Sequence, residues 1–310
     1  MAKSAREVRT EQANRAAAGL DTKSTLEIVR LMNREDAKVV RAIRRALPQI
    51  VDAIERIAIA LEHGGSLIYV GTGTSGRIGA LDASECPPTF SSRPSMVQYL
   101  IAGGTRALGE ATEANEDSPE LGLRDIAAKR PSRKDVVVAL SASGQTPYTL
   151  AALECARRKG AATVGVTSNP GSPLARAAEI AIVVDVGPEV VAGSTRLKAG
   201  TAQKMVANML TTGAFAKLGY IYGNLMVNVH LKNSKLRERG VGILEKAAGI
   251  DRAAAEQVLA EAGSVQVALV MLKTRLSVAQ AKHRLKQAGG NVRQAIAGRG
   301  SKGADRKSVV

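Results

Sequence analysis

Two loops rich in serine, threonine and glycine hold the side chains best suited to binding an anion. Residues 71–76 follow a short apolar segment, and residues 141–147 follow another. Glycines let a chain turn sharply into a helix, where backbone N–H groups and hydroxyls attract phosphate. Such turns also occur where a helix only packs closely on a sheet. The repetition favours a phosphate ester. The candidate phosphate ligands are Ser75, Ser141, Ser143 and Thr146, and Thr74 is a further substrate-binding candidate.

Carboxylates near these loops are the candidates for acid–base chemistry. Glu85 lies fourteen residues after Gly71 and precedes Cys86-Pro87-Pro88, which predicts an extended exit from a helix. A second acidic cluster follows residues 101–104, and its members are Glu110, Glu113, Glu116 and Asp117. Most such acids are surface charges. The residue types alone do not show which of these four residues takes part in acid–base chemistry.

A third polar segment, residues 187–198, precedes a long helical pattern at residues 198–218. Its candidate substrate-binding residues are Glu189, Ser194, Arg196 and Lys198. The two cations suit a carboxylate or equally the carbonyl groups of neighbouring backbone. The sequence leaves both interpretations open.

The elements that must position these residues form an α/β pattern. Apolar runs alternate with helical or loop segments, which is typical of a doubly wound parallel sheet with both faces buried. Residues 25–62 predict flanking helices, with a new helix beginning at Pro48. The five predicted strands are residues 67–70, 96–101, 135–140, 163–167 and 180–184. Ligands of such sheets bind beyond the carboxyl ends of the strands, where the serine-rich loops emerge.

Composition excludes several classes of function. The net charge of +16 suggests nucleic acid, but residues 282–310 hold eight Lys or Arg against one Asp, and aromatic residues make up only 2%. We therefore expect a solvated basic tail after residue 296, and neither nucleic-acid nor membrane binding. Two cysteines and three scattered histidines predict no metal site. The first residues lack the apolar core of a secretory signal, so a cytoplasmic protein is expected.

Several segments resemble the N-acetylmuramic acid 6-phosphate etherases, a family with the sugar isomerase (SIS) fold that shares ancestry with glucokinase regulatory proteins. The resemblance runs from about residue 10 to residue 296. The segments that carry it are DASECPPTF, IAGG, TEANEDS, SASGQTPY, GPEVVAGSTRLKAGTAQK and GNLMVNV. The resemblance implies that the enzyme uses water to cleave the lactyl ether of the phosphorylated sugar, without a cofactor, during cell-wall recycling.

The resemblance also assigns roles. Glu85 matches the family's proton donor to lactate, and Glu116 matches its second acid–base carboxylate. The phosphate is expected against Ser75 and the residue 141–146 loop. The implied organisation is an SIS domain over residues 1–242 and a ubiquitin-associated-like three-helix domain over residues 243–296. Residues 297–310 have no counterpart in the family, and their composition predicts a basic disordered tail. A homodimer with sites near the subunit interface is expected.

Two other functions remain open at this point. A non-catalytic sugar-phosphate regulator would keep the serine loops, but the presence of both acids argues against it. An aldose–ketose isomerase of the same fold would shuttle protons without breaking an ether. Release of D-lactate from the muramic acid phosphate distinguishes all three.

Overall fold

The computed structural model describes residues 8–110, 115–231 and 233–298. Its centre is a five-stranded parallel sheet with the strand order β2-β1-β3-β4-β5. The strands are β1 (Leu67–Gly71), β2 (Val97–Ile101), β3 (Val136–Leu140), β4 (Ala162–Thr167) and β5 (Ile180–Val183). All five lie within a residue of their predicted bounds, so the predicted α/β fold is confirmed.

The sheet forms because its inner strands are apolar on both faces. Every residue of β1 and β3 is buried, and the two strands pair in register from Leu67 opposite Val136 to Gly71 opposite Leu140. Continuous apolar runs of this kind are typical of parallel strands covered by helices. In this strand order β2 lies on one side of β1 and β3 to β5 lie on the other, so the connections change direction across the sheet between β1 and β3, which is the switch point where ligands bind in such sheets. Both serine-rich loops leave the sheet there.

Among the described residues, six α-helices accompany the sheet in sequence. They are α1 (Thr25–Glu62), α2 (Gly73–Phe90), α3 (Pro119–Ala128), α4 (Pro147–Arg158), α5 (Pro173–Ala177) and α6 (Lys198–Lys217). A capping box between Ser24 and Glu27 starts α1. The helix is amphipathic and buries Leu31, Val39 and Ile57.

Proline does not end α1 or α2 where the sequence predicts a break. Pro48 lies inside α1 on its exposed face, so the Arg44 carbonyl that loses its partner can face water. The apolar residues on either side, Ile43 and Ile50, remain buried on the same face of the helix. Their burial offsets the local cost of the proline. The predicted new helix at Pro48 is therefore wrong.

The predicted extended exit after Glu85 is also wrong, because α2 continues through Pro87 and Pro88 to Phe90. The turn closes through a hydrogen bond from the Ser91 N–H to the Pro87 carbonyl, 2.9 Å long. Cys86 and Phe90, one helical turn apart, are both buried. Glu85 therefore lies on the exposed side of a helix.

The chain forms two compact units. Residues up to Glu85 together with Arg93–Ala214 form the first, and Cys86–Ser92 together with the residues from Phe215 onward form the second. The second contains α7 (Ser234–Ala248), α8 (Arg252–Ala262), α9 (Val265–Thr274), α10 (Val278–Gln287) and α11 (Val292–Ile296). Helix α7 runs across the predicted boundary at residues 242–243, and within the described residues four further α-helices, α8 to α11, follow it. The predicted domain limits stay a prediction.

The second unit has its own apolar core. Leu244, Leu259, Val265, Leu269 and Val292 are at most 1% exposed and belong to one cluster of packed side chains. Within the described residues, no single helix is long and apolar enough to cross a membrane, although the bent pair of α8 and α9 meets the same length and composition criteria. The predicted disordered tail lies outside the described residues from residue 299 onward.

Candidate functional site

A cavity of about 340 Å³ lies at the carboxyl ends of β1 and β3, within the first unit. Its wall includes both serine-rich loops. Six of the candidate residues from the sequence line it, namely Thr74, Ser75, Glu116, Ser141, Ser143 and Thr146. The structure thus brings together a hydroxyl cluster and one carboxylate that lie far apart in the sequence.

The hydroxyls of the 141–146 loop contact one another. Ser141 Oγ is 2.9 Å from Thr146 Oγ1 and 3.4 Å from Ser143 Oγ. Ser141 Oγ also accepts a hydrogen bond of 3.0 Å from the Gly144 N–H. Thr146 is the N-cap residue of α4, but its hydroxyl makes no capping hydrogen bond. These groups therefore do not serve as ordinary helix caps, and they can rotate to donate to an anion at the positive end of α4.

Buried polar groups after β4 hold this loop in place. Thr167 Oγ1 and Asn169 Nδ2 donate to the Ala142 carbonyl over 3.2 and 2.9 Å. Gly144 adopts a left-handed conformation with φ of 67°, and a Cβ there would lie 2.3 Å from Ser172 Oγ. The loop can approach this buried layer only because residue 144 has no side chain.

Gly144→Ala is expected to disrupt the loop, because the added methyl group must displace Ser172 in addition to straining the backbone. We expect kcat/KM to fall at least tenfold together with thermal stability, since overpacking of a well-packed core typically costs about 1–3 kcal/mol. Gly171→Ala is the matched control, because φ is 65° there and nothing lies within 4 Å of the added atom. Equal effects of the two substitutions on kcat/KM would contradict the argument from close packing.

Glu116 reaches the cavity from the segment before α3. Its carbonyl oxygen accepts a hydrogen bond of 3.1 Å from the Tyr148 N–H in the first turn of α4. Its carboxylate Oε1 lies 3.0 Å from the position that a Cβ on Gly73 would take, at the start of α2. The carboxylate therefore lies beside the amino end of α2, and the backbone of Glu116 contacts the first turn of α4. Glu113, another predicted candidate, lies outside the described residues.

Two charged residues of the cavity were missed by the sequence analysis. Arg77 lies one residue past the glycine loop, and its guanidinium donates to the carbonyls of Ala107 and Glu110 over 2.9 and 2.7 Å. It brings a positive charge to the cavity wall. Its position directly after the glycine loop is the sequence feature that could have marked Arg77 as a candidate. Glu11 also lines the cavity, but no local pattern marks it.

Glu11 is brought to the cavity by its neighbours in the chain. The Thr10 carbonyl accepts a hydrogen bond of 3.1 Å from the Gly193 N–H, and Asn169 Oδ1 accepts one of 2.7 Å from the Arg9 N–H. Thr10 is 1% exposed. The segment that precedes α1 is thereby fixed against the carboxyl end of the sheet.

None of the four predicted candidates from the third polar segment lines the cavity. Glu189 is fully buried, and its carboxylate accepts hydrogen bonds from the backbone N–H groups of Lys198 and Ala199 over 3.1 and 2.9 Å. Burial raises the pKa of Glu189, although these two donors act in the opposite direction. Glu189 thus satisfies the first turn of α6. Ser194 and Arg196 lie near the cavity residue Thr195 without lining the wall.

Lys198 is 1% exposed and forms a buried ion pair. Its Nζ donates to Glu35 Oε2 over 2.6 Å and to the Pro188 carbonyl over 2.7 Å. Glu85, the predicted proton donor, is exposed and does not line the cavity of its own chain. The catalytic and substrate-binding roles of these residues stay predictions.

Across the described part of the chain, no three His, Cys, Asp or Glu side chains come together in a way that could hold a metal ion. The polar groups of the cavity are hydroxyls, one guanidinium and two carboxylates. This set can bind an anionic ester and exchange protons with a bound molecule.

Comparison with known proteins agrees with the fold. Residues 49–157 match the family model of the glucokinase regulatory protein N-terminal SIS domain, and residues 119–213 match that of the SIS domain. The cavity loops lie within these ranges.

Relatives that match over most of their length identify the family more narrowly. The chain is 48% identical to an N-acetylmuramic acid 6-phosphate etherase of Photorhabdus laumondii, over 93% of this chain and 96% of the relative. It is 56% identical to that of Symbiobacterium thermophilum, over 82% of this chain and 84% of the relative. With an Escherichia coli etherase the identity is 49%, over 93% and 97% of the two chains. The chain belongs to the N-acetylmuramic acid 6-phosphate etherase family.

Proposed function

We propose that this chain uses water to cleave the D-lactyl ether of N-acetylmuramic acid 6-phosphate, giving N-acetylglucosamine 6-phosphate and D-lactate in cytoplasmic peptidoglycan recycling. The observation that carries the proposal is the meeting of Glu116 with the Ser141–Thr146 hydroxyl cluster in one cavity at the β1/β3 switch point. Membership of the etherase family supports the same reaction.

The phosphate of the substrate is proposed to bind at the hydroxyl cluster. Ser141, Ser143 and Thr146 surround the amino end of α4, where the helix dipole favours an anion. Ser75 lines the same cavity from the first turn of α2. Arg77 adds a charge of the right sign to the same wall. The phosphate would thereby anchor one end of the sugar and present the other end to Glu116.

The reaction is an elimination followed by a hydration. When the sugar ring opens, the aldehyde at C1 makes the C2 proton acidic. A base removes that proton, its electron pair forms the C2=C3 double bond, and the bond from C3 to the lactyl oxygen breaks. Lactate leaves with a proton from an acid, because an unprotonated alkoxide is a poor leaving group. Water then adds its hydroxyl to C3 and a proton to C2.

Glu85 and Glu116 are the proposed acid–base groups, with Glu85 as the proton donor to lactate. Each positioned proton transfer typically contributes about 10²–10⁴ in rate. The two glutamates share the proton transfers, and the assignment of the C2 base is open between them. Since Glu85 is exposed and outside the cavity of its own chain, we propose that a second copy brings the two acids together.

An apolar surface of the first unit supports a homodimer. Val40, Leu47 and Val51 lie at helical spacing on α1 and are 54%, 41% and 52% exposed. Leu47 and Val51 also line an apolar groove between α1 and α6, together with Met205 and Met209. Exposed apolar patches of this kind mark interaction surfaces, and a second copy would bury them.

Mixing two inactive variants tests whether the site is shared between subunits. If Glu85 of one copy completes the cavity of the other, hybrid dimers of Glu85→Gln and Glu116→Gln chains contain one site with both glutamates. We expect the co-expressed pair to recover roughly a quarter of wild-type activity, from statistical assembly of a symmetric dimer. Activity no higher than that of either variant alone would reject the shared site.

Ser143→Ala tests the phosphate site. Loss of a charge-assisted hydrogen bond of about 1.5–3 kcal/mol should lower kcat/KM roughly tenfold or more for the phosphorylated substrate. Unphosphorylated N-acetylmuramic acid should be a poor substrate of both proteins, with little difference between them. Ser277→Ala is the control, because Ser277 caps α10 in the second unit and its loss should cost only about 1 kcal/mol of stability. An intact preference for phosphate in Ser143→Ala would reject the site.

A further inference from the structure

Gln203 of α6 lies behind the cavity and contacts one of its hydroxyls. Its side-chain Oε1 accepts a hydrogen bond of 2.9 Å from Ser75 Oγ. Gln203 is 2% exposed, so this amide is shielded from water. Ser75 is a wall residue of the cavity, whereas Gln203 lies one layer further inside.

The direction of this hydrogen bond leaves one polar group unsatisfied. Gln203 Nε2 is buried and has no hydrogen-bond partner among the described residues. Buried N–H groups are almost always paired, because their desolvation otherwise destabilises the fold. At the same time, the only proton of the Ser75 hydroxyl is directed at Gln203 and away from the cavity. This arrangement leaves the amide N–H groups unpaired and gives an anionic ligand no proton from Ser75.

Reversing the amide changes both groups. The oxygen and nitrogen ends of a glutamine side chain have nearly the same shape and can exchange places by rotation about one bond. In the reversed orientation, Nε2 donates to Ser75 Oγ. The Ser75 proton then becomes available to a phosphate oxygen in the cavity. The unpaired group inside becomes a carbonyl oxygen, which proteins tolerate better than an unpaired N–H.

We propose that Gln203 is a positioning residue whose amide takes the reversed orientation and thereby makes Ser75 a donor to a bound phosphate ester. The inference deepens the proposed function, since it rests on the cavity taking the phosphate group. Gln203 itself does not touch the ligand. Its effect on binding passes through the direction of a single hydroxyl proton.

Gln203→Glu and Gln203→Met separate this role from simple packing. A carboxylate can only accept from Ser75, so it keeps the proton away from the ligand. We expect Gln203→Glu to weaken binding of N-acetylglucosamine 6-phosphate and inorganic phosphate at least tenfold by titration calorimetry. A methionine fills similar space and leaves the Ser75 proton free. We therefore expect Gln203→Met to bind both probes within roughly threefold of wild type, with any change in melting temperature measured separately.

The same substitutions in a Ser75→Ala background exclude direct charge repulsion. If Gln203 acts through Ser75, Gln203→Glu should cost much less when Ser75 is absent. An equal cost in both backgrounds, or wild-type binding by Gln203→Glu with weak binding by Gln203→Met, would overturn the inference. If the wild-type chain binds neither probe, the proposed phosphate site fails first and the inference fails with it.

Discussion

Glu116→Gln is expected to lower kcat by about 10²–10⁴ while leaving substrate binding close to that of the wild type. The amide has nearly the shape of the carboxylate that lies over Gly73 in the cavity, but it does not exchange protons at neutral pH. Steady-state release of D-lactate measures the overall loss. Exchange of solvent deuterium at C2 and addition of water to the unsaturated aldehyde should be measured separately, because the two steps use different proton transfers.

Asp117→Asn is the matched control for this substitution. Asp117 is the next residue, is exposed and does not line the cavity, so its loss should leave kcat unchanged. Rates near those of the wild type in both steps for Glu116→Gln would remove Glu116 from the mechanism. A similar loss in Asp117→Asn would indicate that the whole segment had moved, and would contradict the assignment to one carboxylate.

Lys198→Met is expected to destabilise the fold by about 3–5 kcal/mol, because it removes the buried cation that pairs with the buried Glu35 carboxylate. The two side chains are 1% and 3% exposed, and their charged atoms are 2.6 Å apart. Lys38→Met is the control, since Lys38 also contacts Glu35 but is 50% exposed. Its loss should cost only about 0–1 kcal/mol. Denaturant unfolding gives both values.

The pH dependence of stability offers a second test of the same pair. Burial acts to raise the pKa of Glu35, but hydrogen bonds from Lys198, Lys38 and Asn14 outweigh it and lower the pKa from 4.5 to about 2. The stability that this shift provides is present above pH 4.5 and is lost as pH falls towards 2. Lys198→Met should lack much of this acid-dependent change. A raised KM with unchanged stability in that variant would instead support a substrate-binding role for Lys198.

The sequence was sufficient to predict the sheet but not the ends of two helices. Short β-branched runs bounded by glycine and serine mark buried strands, and this signal is local. Pro48 and Pro87 also give a local signal, which predicts a break in the helix. Tertiary packing favours a continuous helix instead. Burial of Ile43 and Ile50 in α1 and of Phe90 in α2 outweighs the local signal, and only the folded chain reveals that competition.

The candidate site shows the same limit. The hydroxyl loop at residues 141–146 was predicted because its groups are adjacent in the sequence. Glu11 and Gln203 were missed because only the tertiary structure brings them near the loops at residues 71–76 and 141–146. Lys198 was selected as a candidate from its place in a polar segment, and only the structure reveals its buried ion pair with Glu35.

The most direct test of the account is the reaction of the wild-type chain with N-acetylmuramic acid 6-phosphate in ¹⁸O-labelled water. Cleavage between C3 and the lactyl oxygen predicts stoichiometric unlabelled D-lactate, and N-acetylglucosamine 6-phosphate with the label at C3. The position of the label is read by mass spectrometry of the two products. Label in lactate would contradict the elimination and hydration. Binding of the sugar phosphate without release of D-lactate would contradict the etherase reaction itself.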